Sequence, residues 1–232
     1  MGRHKSEVAP NTLNLQSLHR FFAKTALEPP CYSCVKIASA KLFPNSGSVR
    51  LNPMNLYLMR HADAGVPREN PLLDAKRGLV KEGKQQCMLM AGVLNGLKAQ
   101  IDVIISSPLK RARQSAQFVG TEIGFDSPIL ASPALAPEAD YTAFQQLIQQ
   151  HAGREGVLVV GHNPNLHQFI GRLMTGNGSN GHGGSVRLRK GAIARIDMSR
   201  RPPQLQWLID PRLARTIYAS VTKSSRPKTS RK

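Results

Sequence analysis

Aromatic residues make up only 5% of this 232-residue chain, and acidic residues number 14 against 32 lysines and arginines. So few aromatics leave no interleaved Phe/Tyr surface on which an RNA-binding sheet would stack bases. That argues against nucleic acid as the partner, although the net charge of +18 taken alone would suggest it. The excess charge is also unevenly placed. Residues 1–53 hold seven Lys/Arg against two Asp/Glu and residues 215–232 hold six against none, whereas 54–214 hold nineteen against twelve. The basic character is thus mainly a property of the two ends. Three cysteines, Cys31, Cys34 and Cys87, are too few for a disulfide framework in a chain of this length. Cys31 and Cys34 form one C-x-x-C with neither a second pair nor a His-x-x-x-His, so neither a zinc site nor a redox pair is expected. A reducing, cytoplasmic setting is the simpler expectation. No apolar run approaches the ~20 residues of a membrane span. A phosphate loop of the G-x-x-x-x-G-K-[ST] type is missing as well.

What is present is one α/β domain of ordinary size with tails. Residues 1–53 sustain neither a helical nor a strand period beyond a short amphipathic piece near Leu13 to Leu27. The expectation is that Met54 begins the native protein and that 1–53 is an unfolded extension of read-through upstream sequence. Its Ser-rich, acid-poor composition would alternatively suit an organelle transit peptide. From Met54 the pattern becomes regular. Residues 55–59, 101–107 and 155–162 are short apolar runs that predict buried strands, and 185–198 and 204–210 predict two later ones. Helical spacing follows in 79–99, 107–124, 141–153 and 165–176, with Ser107 and Pro108 placed as cap and first residue of the second helix. Residues 216–232 form a basic, Ser/Pro-containing tail expected to be disordered. His182, in the Gly-rich stretch 175–184, is expected to be a solvated loop residue. Alternating strands and helices predict a three-layer αβα sandwich with a mostly parallel sheet. Ligands bind such sheets beyond the carboxyl ends of the strands.

Three of the predicted strands end in chemically useful groups. They are Arg60-His61, then Ser106-Ser107-Pro108 leading to Arg111, then Gly161-His162-Asn163-Pro164. Guanidiniums offer fixed donor forks that suit phosphate oxygens and stay charged at neutral pH. Arg111 would stand in the first turn of a helix, whose amides also favour an anion. With two histidines beside that anion, one can attack phosphorus while the other stabilises the charged oxygens. Arg and His would then supply the positive charge that Mg²⁺ supplies elsewhere, so no metal or cofactor is required.

In "LYLMRHADA", "RGLVKEG" (77–83), "SPLKRARQSA" (107–116), "VLVVGHNPNL" (157–166), "RKGAIARI" and "LQWLIDPRL", the domain 54–215 resembles the histidine phosphatase superfamily, and within it the phosphohistidine phosphatase, SixA-like branch. The resemblance implies a phosphoglycerate-mutase-like fold and a phosphatase acting through a phosphohistidine on His61. It implies that Arg60 and Arg111 clamp the phosphoryl group and that His162 completes the pocket. Arg77 and Gly83 match positions with little evidence for direct chemistry, and Asn163 and Pro164 are taken to shape their loop.

Ala62 stands where many relatives have Gly, as is usual in the SixA-like branch. The general acid departs further: "SPALAPEADYTAF" offers Glu138 and Asp140 but lacks the acid loop of larger relatives. Glu138 could equally be an N-terminal helix residue favoured by the dipole. Imidazole leaves as a neutral ring once protonated, near pKa 6.5, so a site with a weak acid suits a P–N bond better than an ester. The stretches 124–141 and 175–185 are too short for a large lid, and an open site could admit a histidine displayed on another protein. The expected substrate is therefore phosphohistidine on a protein domain, with a small phosphate ester or anhydride as the alternative.

Overall fold

The computed structural model describes residues 54–175 and 186–224. The expectations for 1–53, the C-x-x-C, His182 and the end of the tail lie outside the described residues.

The strands are β1 (Asn55–Arg60), β2 (Val103–Ser106), β3 (Leu130–Ala131), β4 (Gly156–Gly161), β5 (Ile193–Asp197) and β6 (Gln204–Ile209). The helices are α1 (Pro71–Ala75), α2 (Lys81–Gly96), α3 (Lys110–Ile123), α4 (Tyr141–Gln150), α5 (Asn165–Thr175) and α6 (Pro211–Ser224), with a short 3-10 turn at Pro133–Leu135. One sheet runs in the order β3-β2-β4-β1-β5-β6. β1, β2, β3 and β4 pair in parallel, and β5 and β6 add an antiparallel edge. Every residue of β2 and β4 is buried, as central strands covered on both faces must be.

Alternation along β1 divides its side chains between two cores. Leu56 and Leu58 join Val157 and Val159 of β4 and pack with Phe144 and Ile148 of α4 and Phe169 and Ile170 of α5. Phe144 and Phe169 stack there with ring centroids 4.6 Å apart. On the other face Tyr57 meets Trp207 of β6 at 6.1 Å, and Ile104 lies against Gly120 of α3. The helices thus cover both faces of the sheet, giving the expected three layers.

Local chemistry explains most element ends. Asn70 caps α1 by accepting from the amides of Leu72 and Leu73, and Asp140 caps α4 by accepting from Ala143. α3 buries Ala112, Ala116, Val119 and Gly120 along one stripe and stops at Gly124, whose φ of 73° is left-handed.

Several expectations need correction. α3 starts at Lys110, because the Ser107 hydroxyl accepts from the Leu109 amide in a turn and is also held by His162. The strand predicted over 185–198 is confined to Ile193–Asp197, since Gly191 (φ 74°) turns the chain back so that its amide donates to the carbonyls of Arg60 and His61. The tail expected to be disordered from 216 is helical through Ser224. Asp210 accepts from the first amides of that helix, Ala214 is buried, and Arg215 pairs with Glu82 of α2 at 2.8 Å.

Candidate active site

The parallel pairing of β1, β4 and β2 sets Arg60 beside Gly161 and Val160 beside Ser106. The three predicted strand ends therefore meet on one edge of the sheet. His61 follows directly, its amide donating to the Gly161 carbonyl. His61, His162, Ser107 and Arg111 are all buried, and the two histidine rings lie 5.0 Å apart.

A hydrogen bond fixes which nitrogen of His61 carries the proton. His61 Nδ1 lies 2.8 Å from the Ala62 carbonyl, which can only accept, so Nδ1 is the donor and the neutral ring keeps its lone pair on Nε2. Among the described residues Nε2 has no hydrogen-bond partner, and it is not one of the sealed, unpartnered nitrogens. His162 Nε2 lies 2.8 Å from Ser107 Oγ, which also accepts from the Leu109 amide. Its Nδ1 is buried without a partner.

Burial, and then the charges of Arg111, Arg60 and Arg77, push His61 down to about 4, partly offset by its bond to the Ala62 carbonyl. Burial, His61 and the same arginines Arg111 and Arg60 push His162 down to about 3. Both rings are neutral near pH 7. Burial also lowers both arginines, although Asp74 opposes this at Arg111. Arg60 Nη1 donates to the Leu188 carbonyl at 3.1 Å, while Arg111 Nη1 donates to the carbonyl and to Oδ2 of Asp74, both at 3.1 Å. The Nε of each arginine is buried and unpartnered. Two guanidiniums and two rings thus gather at one edge of the sheet, where the fixed positive charge of the arginines suits an anion.

Sequence reasoning missed Asp74. It accepts from Arg77 Nε at 2.7 Å and from the Arg68 amide at 3.0 Å besides Arg111, and the Arg77 bond foremost holds its carboxyl at about 2. Arg77, singled out without a role, donates from Nη1 to the carbonyls of Ala64 and Gly65 and so shapes the loop after His61. Gly83 proves to be a packing requirement: a methyl group there would strike the Asp63 carbonyl. Ser115, also missed, accepts from the Ala62 amide and donates to the Arg111 carbonyl, joining the two strand-end motifs. The signal for it is a polar interruption in the apolar stripe of α3, one helical turn after Arg111.

Glu138 lies in a turn two residues ahead of the α4 cap, so the alternative of a helical first-turn residue is ruled out. Asn165 braces this turn by donating to the carbonyls of Ala136 and Ala139. Glu138 is near enough for its charge to act on Arg111. Asp140, the other candidate acid, is engaged in capping α4. Asn163 donates to the Leu188 carbonyl, the acceptor that also holds Arg60, which gives it the shaping role expected. The Cys87 thiol is pushed up to about 12, mainly by burial, and is no nucleophile. No cluster of three or more His, Cys, Asp or Glu side chains suited to a metal occurs among the described residues.

Residues 56–147 match the profile of the histidine phosphatase superfamily, branch 1. The chain is 30% identical over 125 residues to the phosphohistidine phosphatase SixA of Escherichia coli, covering 53% of this chain and 76% of that protein. It is 33% identical over 152 residues to an uncharacterized protein of a Picosynechococcus strain, covering 62% and 88% of the two chains. A solved structure of the protein histidine phosphatase SixA in complex with tungstate superimposes with a TM-score of 0.59 at 27% identity, covering 68% of this chain and 97% of that one.

Proposed function

The chain belongs to the histidine phosphatase superfamily, and from that premise we propose that it removes phosphoryl groups from phosphohistidine on another protein, through a phosphohistidine formed on its own His61. The observation that carries this reading is the tautomer of His61, set beside Arg60 and Arg111. The Ala62 carbonyl keeps the ring proton on Nδ1, so Nε2 holds the free lone pair. His61 Nε2 attacks phosphorus as the substrate's P–N bond breaks, and the bonding pair leaves on the substrate imidazole, which departs as a neutral ring after protonation. Arg60, Arg111 and His162 take the three equatorial oxygens. Water then attacks the phosphorus held on His61. The electron pair returns to Nε2, and inorganic phosphate is released. The positive charge comes from guanidiniums, so the donor set asks for no metal.

A protein substrate suits the surroundings. Val66, Leu72 and Leu73 are 83%, 76% and 46% exposed on the loop and short helix that bear Asp74, the partner of Arg111. Exposed apolar side chains on that loop and helix are suited to contact with a protein surface. A small phosphate ester is the second reading, favoured by Glu138, whose charge reaches Arg111 and whose carboxyl is the candidate to protonate a poorer leaving group.

The test assays the full-length protein and its His61→Ala variant on a phosphohistidine-bearing protein and on aryl and alkyl phosphates, with trapping of acid-labile phosphoenzyme. The expected result is preference for the phosphohistidine, with turnover and labelling both lost in the variant. Near-normal activity in His61→Ala refutes the mechanism, and hydrolysis of esters alone favours the second reading.

A further inference from the structure

We infer that a basic groove beside the phosphoryl site selects phosphohistidine proteins whose phosphorylated histidine is flanked by acidic side chains. This rests on the proposed action on protein phosphohistidine. The groove is a cavity of about 780 Å³ that begins at Arg60 and runs between the 186–190 segment and the start of α6. That volume greatly exceeds a phosphate ion, and Arg60, one arm of the proposed phosphoryl clamp, lines it together with Asn163, the neighbour of His162.

Its charge is lopsided. Besides Arg60, the lining carries Arg187, Arg189, Lys190 and Arg212 against Asp63 and Asp210. Both carboxylates are already engaged: Asp63 with Lys190 at 2.7 Å, and Asp210 with Arg189 at 3.3 Å and with the first amides of α6. Arg187 and Arg212 are exposed and have no carboxylate partner among the described residues. Two unpaired guanidiniums on the wall of a groove that shares Arg60 with the phosphoryl clamp complement carboxylates held a short distance from the phosphorylated ring.

The full-length protein is tested on three peptides carrying one chemically phosphorylated histidine with acidic, neutral or basic flanks, and on an aryl phosphate. The expected kcat/KM for the acidic peptide is about 10-fold above the neutral one at low salt, with the basic one lower still. That preference should shrink to about 2-fold in 0.5 M salt, because exposed charges are screened. In Arg187→Ala/Arg212→Ala the preference disappears while aryl phosphate turnover is unchanged, which shows that fold and chemistry persist. In Arg187→Glu/Arg212→Glu it reverses toward the basic peptide. Equal rates on all three peptides, or a preference that survives both double variants, overturn the groove's role. Hydrolysis of the aryl phosphate with no hydrolysis of any peptide overturns the phosphohistidine reading itself, and the groove's role falls with it.

Discussion

Lowering the pH from 7 to 5 is expected to cost the protein about 4 kcal/mol of folding stability through His61 and His162. Burial foremost, with the neighbouring arginines, holds these rings at about 4 and about 3. In the unfolded chain each titrates near 6.5. As the pH falls below that value, the unfolded state gains a proton on each ring that the folded state refuses. Their neutrality therefore costs nothing above pH 6.5, and stability is lost progressively down to the folded values. Between pH 7 and 5 the loss integrates to about 2 kcal/mol for each ring. The carboxyl of Asp74, at about 2, stays ionised throughout that window and adds almost nothing. Urea unfolding of the wild type at the two pH values measures the loss, and His61→Gln/His162→Gln supplies the comparison. With a slope of ~2 kcal/mol per molar urea, the wild-type midpoint should fall by about 2 M more than that of the double variant. Other histidines and carboxylates are common to both proteins and cancel. Equal losses in the two would show that the rings are not held neutral and would remove the basis for the lone pair on His61.

Asp74→Asn should lower kcat/KM about 10- to 100-fold, since Arg111 and Arg77 lose the charge that positions them. Steady-state kinetics beside a thermal melt will separate this from unfolding, and an unchanged rate would show that Arg111 needs no brace. Glu138→Gln should change the phosphohistidine rate less than about threefold, but slow ester hydrolysis in proportion to leaving-group pKa, by up to ~10²–10⁴-fold. An equal loss on both substrates would mean that Glu138 positions substrate or fold instead. Gly83→Ala should destabilise the domain by about 1–3 kcal/mol in urea, because a methyl group cannot coexist with the Asp63 carbonyl unless the loop after His61 moves. Wild-type stability in that variant would mean that the close approach of α2 to this loop is not required.

The strand-end chemistry is legible in the amino-acid order. Arg60-His61, Ser107 to Arg111 and Gly161-His162 each follow an apolar run, and parallel pairing of buried strands brings such ends to one edge as a matter of topology. The helices α2 to α5 are legible too, from the periodicity of their buried faces. α1 is not, because its Leu72 and Leu73 are exposed and leave no buried stripe to detect. Asp74 is hidden with it: nothing local links it to Arg111, 37 residues away, until that short helix folds back over the site. The helix over 211–224 is obscured by its basic composition, since its support comes from Glu82 on a distant helix.

What the sequence alone determined was therefore the kind of groups available and the edge of the sheet on which they gather. What only the tertiary structure decided was their state: which nitrogen of His61 carries the proton, and how far burial among arginines lowers the affinity of both rings for another. Those properties depend on a carbonyl and a dielectric supplied by the fold, and no residue carries them in its own chemistry.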